Sequence, residues 1–351
     1  MIERFVAVGV MFVAAVGVAQ TGVVPAATQI NPAAIVYSAA TGKVYAVDKA
    51  HDAVIVIDDA KGKTVAVKVG SGPLSIAVNA RTGKAYVTNA DDGTVSVIDG
   101  ATDAVVATLT VGAHPYAIAV NSDMSEMGEV YVSRTYSGDL MVIDGKTNAV
   151  MGVKVGSPDV LAVNEATGAV YLVGYENAVV GVMDGRSHVL RTRSAGMHLW
   201  GMAVNQATGV VYATRTEDRE VMALLPDGTS VAIAAGSIPC AVAVNARTNR
   251  VYAANYADDS VTVIDGVTQK AIATIRVGKR PEAIAVDVGT NRVYVANTLG
   301  GSVTVIDGSS NKVLTTMDAG KSPYAVVVNP KSGKVHVADL DGVVTTVLEL
   351  Q

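Results

Sequence analysis

Cysteine is all but missing from this chain: Cys240 is the only one. That excludes an intramolecular disulfide, a paired-thiolate metal site and a CxxCH haem attachment. Phenylalanine is as scarce, and both copies, Phe5 and Phe12, lie in one early apolar run. Trp200 is the sole tryptophan. Charged residues form 17% of the chain, and Lys+Arg 27 against Asp+Glu 32 gives a net charge of -5. No global basic field therefore draws nucleic acid. The sequence has no Gly-x-Ser-x-Gly elbow, no P-loop and no HxH or HxxxH pair, so neither a hydrolase nucleophile, a nucleotide cradle nor a histidine metal site is written in it. The histidines that remain would face one another across a wide opening, so no metal and no cofactor is expected, and no catalytic residue is assigned.

What the chain does have is short runs of Val, Ile, Ala, Thr and Tyr closed by Asn, Asp or Gly. The stretch Ser237 to Gly278 is the unit: Pro239-Cys-Ala-Val-Ala-Val-Asn245, Arg250-Val-Tyr-Ala-Ala-Asn255, Ser260-Val-Thr-Val-Ile-Asp265 and Ala271-Ile-Ala-Thr-Ile-Arg276. β-Branched side chains suit a pleated surface and the punctuating residues turn the chain, so each unit reads as four strands. The second-strand tyrosine marks the repeat at Tyr45, Tyr86, Tyr131, Tyr171, Tyr212, Tyr252 and Tyr294, and His336 stands in its eighth place. The spacings lie between 40 and 45 residues. A four-stranded unit at that period cannot bury both faces alone, and copies ranged side by side can. The expected fold is an all-β propeller of four-stranded blades, eight preferred and seven the alternative. The last copy stops after Val343-Val-Thr-Thr-Val-Leu-Glu349 with no fourth strand. A strand from Thr21 to Gln29 is expected to close the ring there, which would remove an exposed edge.

Tyr86-Val-Thr-Asn89, the recurrent Val-Ile-Asp-Gly and the Gly-x-x-Pro linker carry a specific likeness. With them the chain resembles the YVTN-repeat propellers, of the YncE-like and surface-layer type found in prokaryotic cell envelopes. The likeness covers nearly all of the chain after its first residues. It implies the propeller fold and an envelope setting. Within such a group, binding roles, single-stranded DNA binding and enzyme-like relatives are all implied, so it fixes the fold better than the activity.

Two domains of sequence follow. Residues 1–19 read as a secretory signal: an apolar run, Phe5 to Ala19, behind Arg4, with the small residues Gly17 and Ala19 before a cut. The run is short for a membrane span. Residues 20–351 read as one propeller, exported to the periplasm or cell surface, with no stable membrane span after the signal is removed.

In such a ring the linkers between blades and the loops between second and third strands share one face, called here the linker face. Aromatics exempt from the repeat gather there: Tyr116, Tyr136, Tyr175, Trp200, Tyr256 and Tyr324. They bury large area at low entropy cost, which suits a partner surface. His114, His198, Arg280 and Glu282 fall in or beside linkers, and Arg134 and Arg215 in second-to-third-strand loops. Together these twelve residues are the expected binding set, for a protein or small-ligand partner at the channel mouth. A lyase or lactone hydrolase using His114, His198 and Glu282 is the alternative. Single-stranded DNA stacked on the aromatics beside Arg134, Arg215 and Arg280 is a further one, against which the net charge argues.

Overall fold

The computed structural model describes residues 35–124, 127–134, 137–156, 158–174, 178–340 and 344–347, and before them only the backbone of three short strands. The expected signal cut near Ala19 lies outside the described residues, as do Tyr136 and Tyr175. Every repeat folds as an antiparallel meander, its strands hydrogen-bonded in chain order. Among the described residues, seven such sheets carry all four strands of a blade, the first starting at Ile35–Tyr37 and the seventh ending at Lys312–Asp318. Seven complete blades is the alternative of the two counts expected. The eighth repeat gives a sheet of three strands, Pro323–Asn329, Lys334–Asp339 and Val344–Val347.

Closure by an N-terminal strand is not shown. Val23–Val24 pairs with Val286 and Asp287 on the inner strand of the seventh blade. Among the described residues no strand lies along the free edge of Val344–Val347. The three-stranded sheet is instead tied to the first blade by side chains: the Asn329 amide donates to the Gly42 carbonyl at 3.3 Å and to the Asp59 carboxylate at 2.6 Å.

Burial within a blade follows strand position. The inner strands Pro239–Asn245 and Pro323–Asn329 are buried at every residue, since neighbouring blades cover both faces. The outer strand Ala104–Thr110 alternates exposed and half-buried residues, as a half-covered strand must. The second-strand tyrosines are wholly or nearly buried, as their periodicity demands.

The Val-Ile-Asp aspartates end the third strands in tight turns. Asp99 Oδ1 accepts from the amides of Ala101 and Thr102 at 2.8 and 2.9 Å, and Asp144, Asp184, Asp265 and Asp307 repeat the arrangement. The amide of Thr268 and the guanidinium of Arg250 hold the Asp265 carboxyl down to about 2. These carboxylates are turned onto their own loops, which is why turn chemistry and not a calcium ladder explains the repeat.

Candidate functional site

The linkers build the mouth of the ring, and one backbone device recurs in them. In the column just before the inner strands of blades 2, 3, 5, 6 and 7, Gly72, His114, His198, Ile238 and Arg280 all take the left-handed conformation, with φ of 64°, 51°, 58°, 52° and 52°. The conformation is held from outside. The carbonyls of Gly72, His198, Ile238 and Arg280 each accept the amide of a residue just past the second strand, at 2.9, 3.2, 3.0 and 2.9 Å. Acidic side chains of the second-to-third-strand loops fix the linker amides as well: Asp92 takes Ser71 and Asp258 takes Ser237, both at 2.6 Å, and Asp259 takes Arg280 at 2.8 Å.

Glycine adopts this conformation freely, and blade 2 uses it, in Gly72. A side chain there costs about 1–2 kcal/mol, and a β-branched residue such as Ile238 is the least suited. His114, His198, Ile238 and Arg280 are therefore kept at a column where the fold itself is served by glycine.

A second device aims the residue one or two places further on. The inner-strand ladder slips just after Pro73, Pro115, Leu199, Pro239, Pro281 and Pro323. Such a bulge leaves its extra residue out of the pairing and redirects its side chain. Leu74, Tyr116, Trp200, Cys240, Glu282 and Tyr324 stand in the slipped segments. Tyr116, Trp200 and Glu282 are half-buried, with Tyr116 and Trp200 seated on the core beneath.

The expected site residues fall into three groups. Trp200, Tyr256, Arg280 and Glu282 form one sector across blades 5 to 7, with Ile238, not among the expected residues, beside them. The Arg280 guanidinium lies 5.2 Å from the Tyr256 ring centroid, a cation–π stack. Burial first, and then the Glu282 charge, pushes the Tyr256 phenol up. His198 belongs to the same arc, its Nδ1 3.1 Å from the Glu217 carboxylate. His114 is exposed on the linker of blade 3.

Arg134 and Arg215 form the second group, and they depart from expectation. They occupy the column that holds Asn89, Asn255 and Asn297 in other blades, and their side chains run beneath the linkers instead of out into the mouth. A Cβ on Gly112 would lie 2.8 Å from the Arg134 guanidinium, and one on Gly196 2.5 Å from that of Arg215. Arg134 is paired with Asp139 at 3.4 Å, and Arg215 with Asp218 and with Glu220, the latter at 2.6 Å. Both are braces, already neutralised by carboxylates, which removes two of the three cations a nucleic-acid strand would need.

Tyr324 is the third case. It is 0% exposed and packs among the seam residues Ile35, Tyr37 and Ala325, so it fills the ring and does not line its rim. Cys240, weighed as a thiol nucleophile beside His198, is 4% exposed, and its Sγ donates to the Pro281 carbonyl at 3.3 Å. Burial, then the charge of Glu282, pushes its thiol far up, so it behaves as a small apolar residue. His114, His198 and Glu282 come from linkers two blades apart. No group of three metal-ligating side chains converges among the described residues.

Sequence reasoning missed Ile238 and Glu217. The signal for Ile238 was present: in an alignment of linkers it shares a column with Gly72, and a glycine in a repeat column marks a backbone demand.

The model of the family described as YNCE-like beta-propeller matches residues 5–328. No curated protein matches the sequence. Solved structures share the fold at low identity. Sqt1 of Saccharomyces cerevisiae superposes with a TM-score of 0.74 at 9% identity, over 90% of this chain and 95% of its own. Hydrazine synthase of Kuenenia stuttgartiensis gives 0.62 at 16%, over 78% and 94%. Virginiamycin B lyase of Staphylococcus aureus gives 0.60 at 11%, over 77% and 89%.

Proposed function

The chain belongs to the YncE-like β-propeller family, and from that premise we propose that it is an exported binding protein that holds a protein or small-ligand partner on the linker face. The observation that supports this is the left-handed linker column. Four side chains, His114, His198, Ile238 and Arg280, stand at positions where blade 2 has glycine and where any side chain is strained. Strain of this kind persists where surrounding structure over-determines it, and it gathers at ligand-binding positions. Beside three of the four stand the half-buried aromatics Trp200 and Tyr256, which give a partner broad, pre-ordered contact area.

Trp200, as the sole tryptophan, reports on the site directly. Its emission is to be followed while size-fractionated cell-envelope extract is added to purified protein. A saturable change is expected, and it should be lost in Arg280→Gly and Ile238→Gly proteins that melt like the parent. An emission change that all the linker variants retain would place the partner elsewhere.

A further inference from the structure

The second-strand tyrosines do more than fill the core. Tyr45, Tyr131 and Tyr252 each point across to the next blade, at the glycine that follows that blade's third strand. A Cβ on Gly100 would lie 2.7 Å from the Tyr45 hydroxyl, one on Gly185 2.9 Å from that of Tyr131, and one on Gly308 2.7 Å from that of Tyr252. Glycine is required at these junctions because the phenol occupies the space a side chain would take.

One junction breaks this rule on both sides at once. Where the three-stranded sheet meets the first blade, the tyrosine column holds His336 and the glycine column holds Asp59. His336 is 0% exposed, and its Nε2 lies 2.9 Å from Asp59 Oδ2. The same oxygen accepts from Ser332 Oγ at 2.8 Å and from the Asn329 amide at 2.6 Å. The shorter imidazole leaves room for the carboxylate. A tyrosine would collide with Asp59, and a glycine at 59 would leave the buried imidazole without its carboxylate.

We propose that Asp59 and His336 form the closing latch of the ring: a pair private to the seam that specifies which two sheets meet, ties the end of the chain to its beginning, and gives way in acid. A repeat protein needs such a key. Its junctions are nearly equivalent, so a uniform Tyr–Gly fit would let the last sheet pack on the wrong neighbour or on another copy. A buried imidazole–carboxylate pair that stands at this junction alone among the described residues rejects those alternatives, since a lone imidazole or carboxylate against a Tyr or Gly would be buried unpaired.

The other charged groups at the seam are few. Lys334 reaches Asp59 Oδ1 only at 3.9 Å, Lys331 spends its ammonium on the Ala39 carbonyl at 3.1 Å, and Asp58 is paired with Lys61 at 3.2 Å. The Tyr37 phenol also faces Asp59 and is pushed up by burial and by that charge. Burial alone would raise the Asp59 carboxyl, but the hydrogen bonds from His336 and Ser332 and the charge of His336 outweigh it and hold it below its ordinary value. A lowered carboxyl contributes stability above its unfolded value of about 3.9 and loses it as pH falls through the folded value.

The test is a double-variant cycle read by thermal melting of the full chain at pH 7. Asp59→Gly and His336→Tyr alone should each lower the melting temperature by a few degrees, roughly 1–2 °C for each kcal/mol lost in a chain of this size. The pair together recreates Tyr45 against Gly100 and should recover most of the loss. Additive losses in the double variant would overturn the latch. Asp59→Asn keeps the shape should a single variant fail to fold. Its deficit against the parent should be full at pH 7 and shrink as pH falls below about 4, and a deficit that does not change as pH falls would equally overturn the proposal.

Discussion

Ile238 shows at the scale of one residue how the fold and the site pull apart. Its φ of 52° suits glycine, and its side chain is exposed beside Trp200 and Tyr256. Ile238→Gly should leave stability unchanged or raise it by up to about 1 kcal/mol, because relief of left-handed strain offsets the greater freedom of glycine in the unfolded chain. Denaturant melts check this, and a loss above 1 kcal/mol would mean the isoleucine packs for stability. The reverse holds two places earlier in the linker. Gly196→Ala puts a Cβ 2.5 Å from Arg215 at a φ of 81° and should cost about 1–3 kcal/mol, measured the same way. Cys240 is the chemical counterpart. Its buried thiol should resist a disulfide reagent at pH 8 in the native protein and react at once in denaturant, because burial and the nearby Glu282 charge suppress its thiolate.

The blade shows why the expected polar site residues divided as they did. The end of each second strand is a brace for the linker above it. In blades 2, 6 and 7 the brace is asparagine: the Asn255 amide donates to Ser260 and Thr262 at 3.0 and 2.9 Å, and Asn89 and Asn297 do the same with their own third strands. In blades 3 and 5 the longer Arg134 and Arg215 do the work with carboxylates as partners. Asn255→Ala should therefore cost about 1–3 kcal/mol, because it strands buried hydroxyls and frees the amide of Gly236, whose bond to Asn255 Oδ1 is 3.1 Å. Arg215→Ala should act in the same way, on stability before binding, which equilibrium unfolding and Trp200 titration together would separate.

The whole ring titrates from both ends. Asp99, Asp144, Asp184, Asp227, Asp265 and Asp307 are all lowered, chiefly by backbone amides of their own turns. Unfolded, these groups bind protons first, so stability should be level near neutrality and fall as pH drops below about 4. At the other end burial raises Tyr45, Tyr86 and Tyr252 to about 12 and raises Cys240 further. The unfolded chain releases those protons first, so stability should fall again as pH rises above about 9–10. Urea midpoints across the pH range check both limbs, and a flat alkaline limb would mean the tyrosines are not held in the core. Stability also depends on the last sheet. A chain ended at Gly320 exposes inner strands on both sides of the gap and should lose cooperative melting, which calorimetry would show.

The period, the strand count per unit and the tyrosine core were legible in the sequence because they rest on local rules: side-chain alternation, turn residues and spacing. The linker face was legible too, since strand direction alternates and fixes which loops share a side. Four things needed tertiary structure. Tyr324 and Trp200 follow the same bulge, yet one is buried by its neighbours and the other is not, which no local rule decides. Arg134 and Arg215 read as open cations until the path of the linker above them was known. The left-handed linker column depends on hydrogen bonds from a loop more than a dozen residues away in the chain. The exchange of Tyr–Gly for His336–Asp59 joins residues 277 apart in the chain, and only closure of the ring makes them a pair.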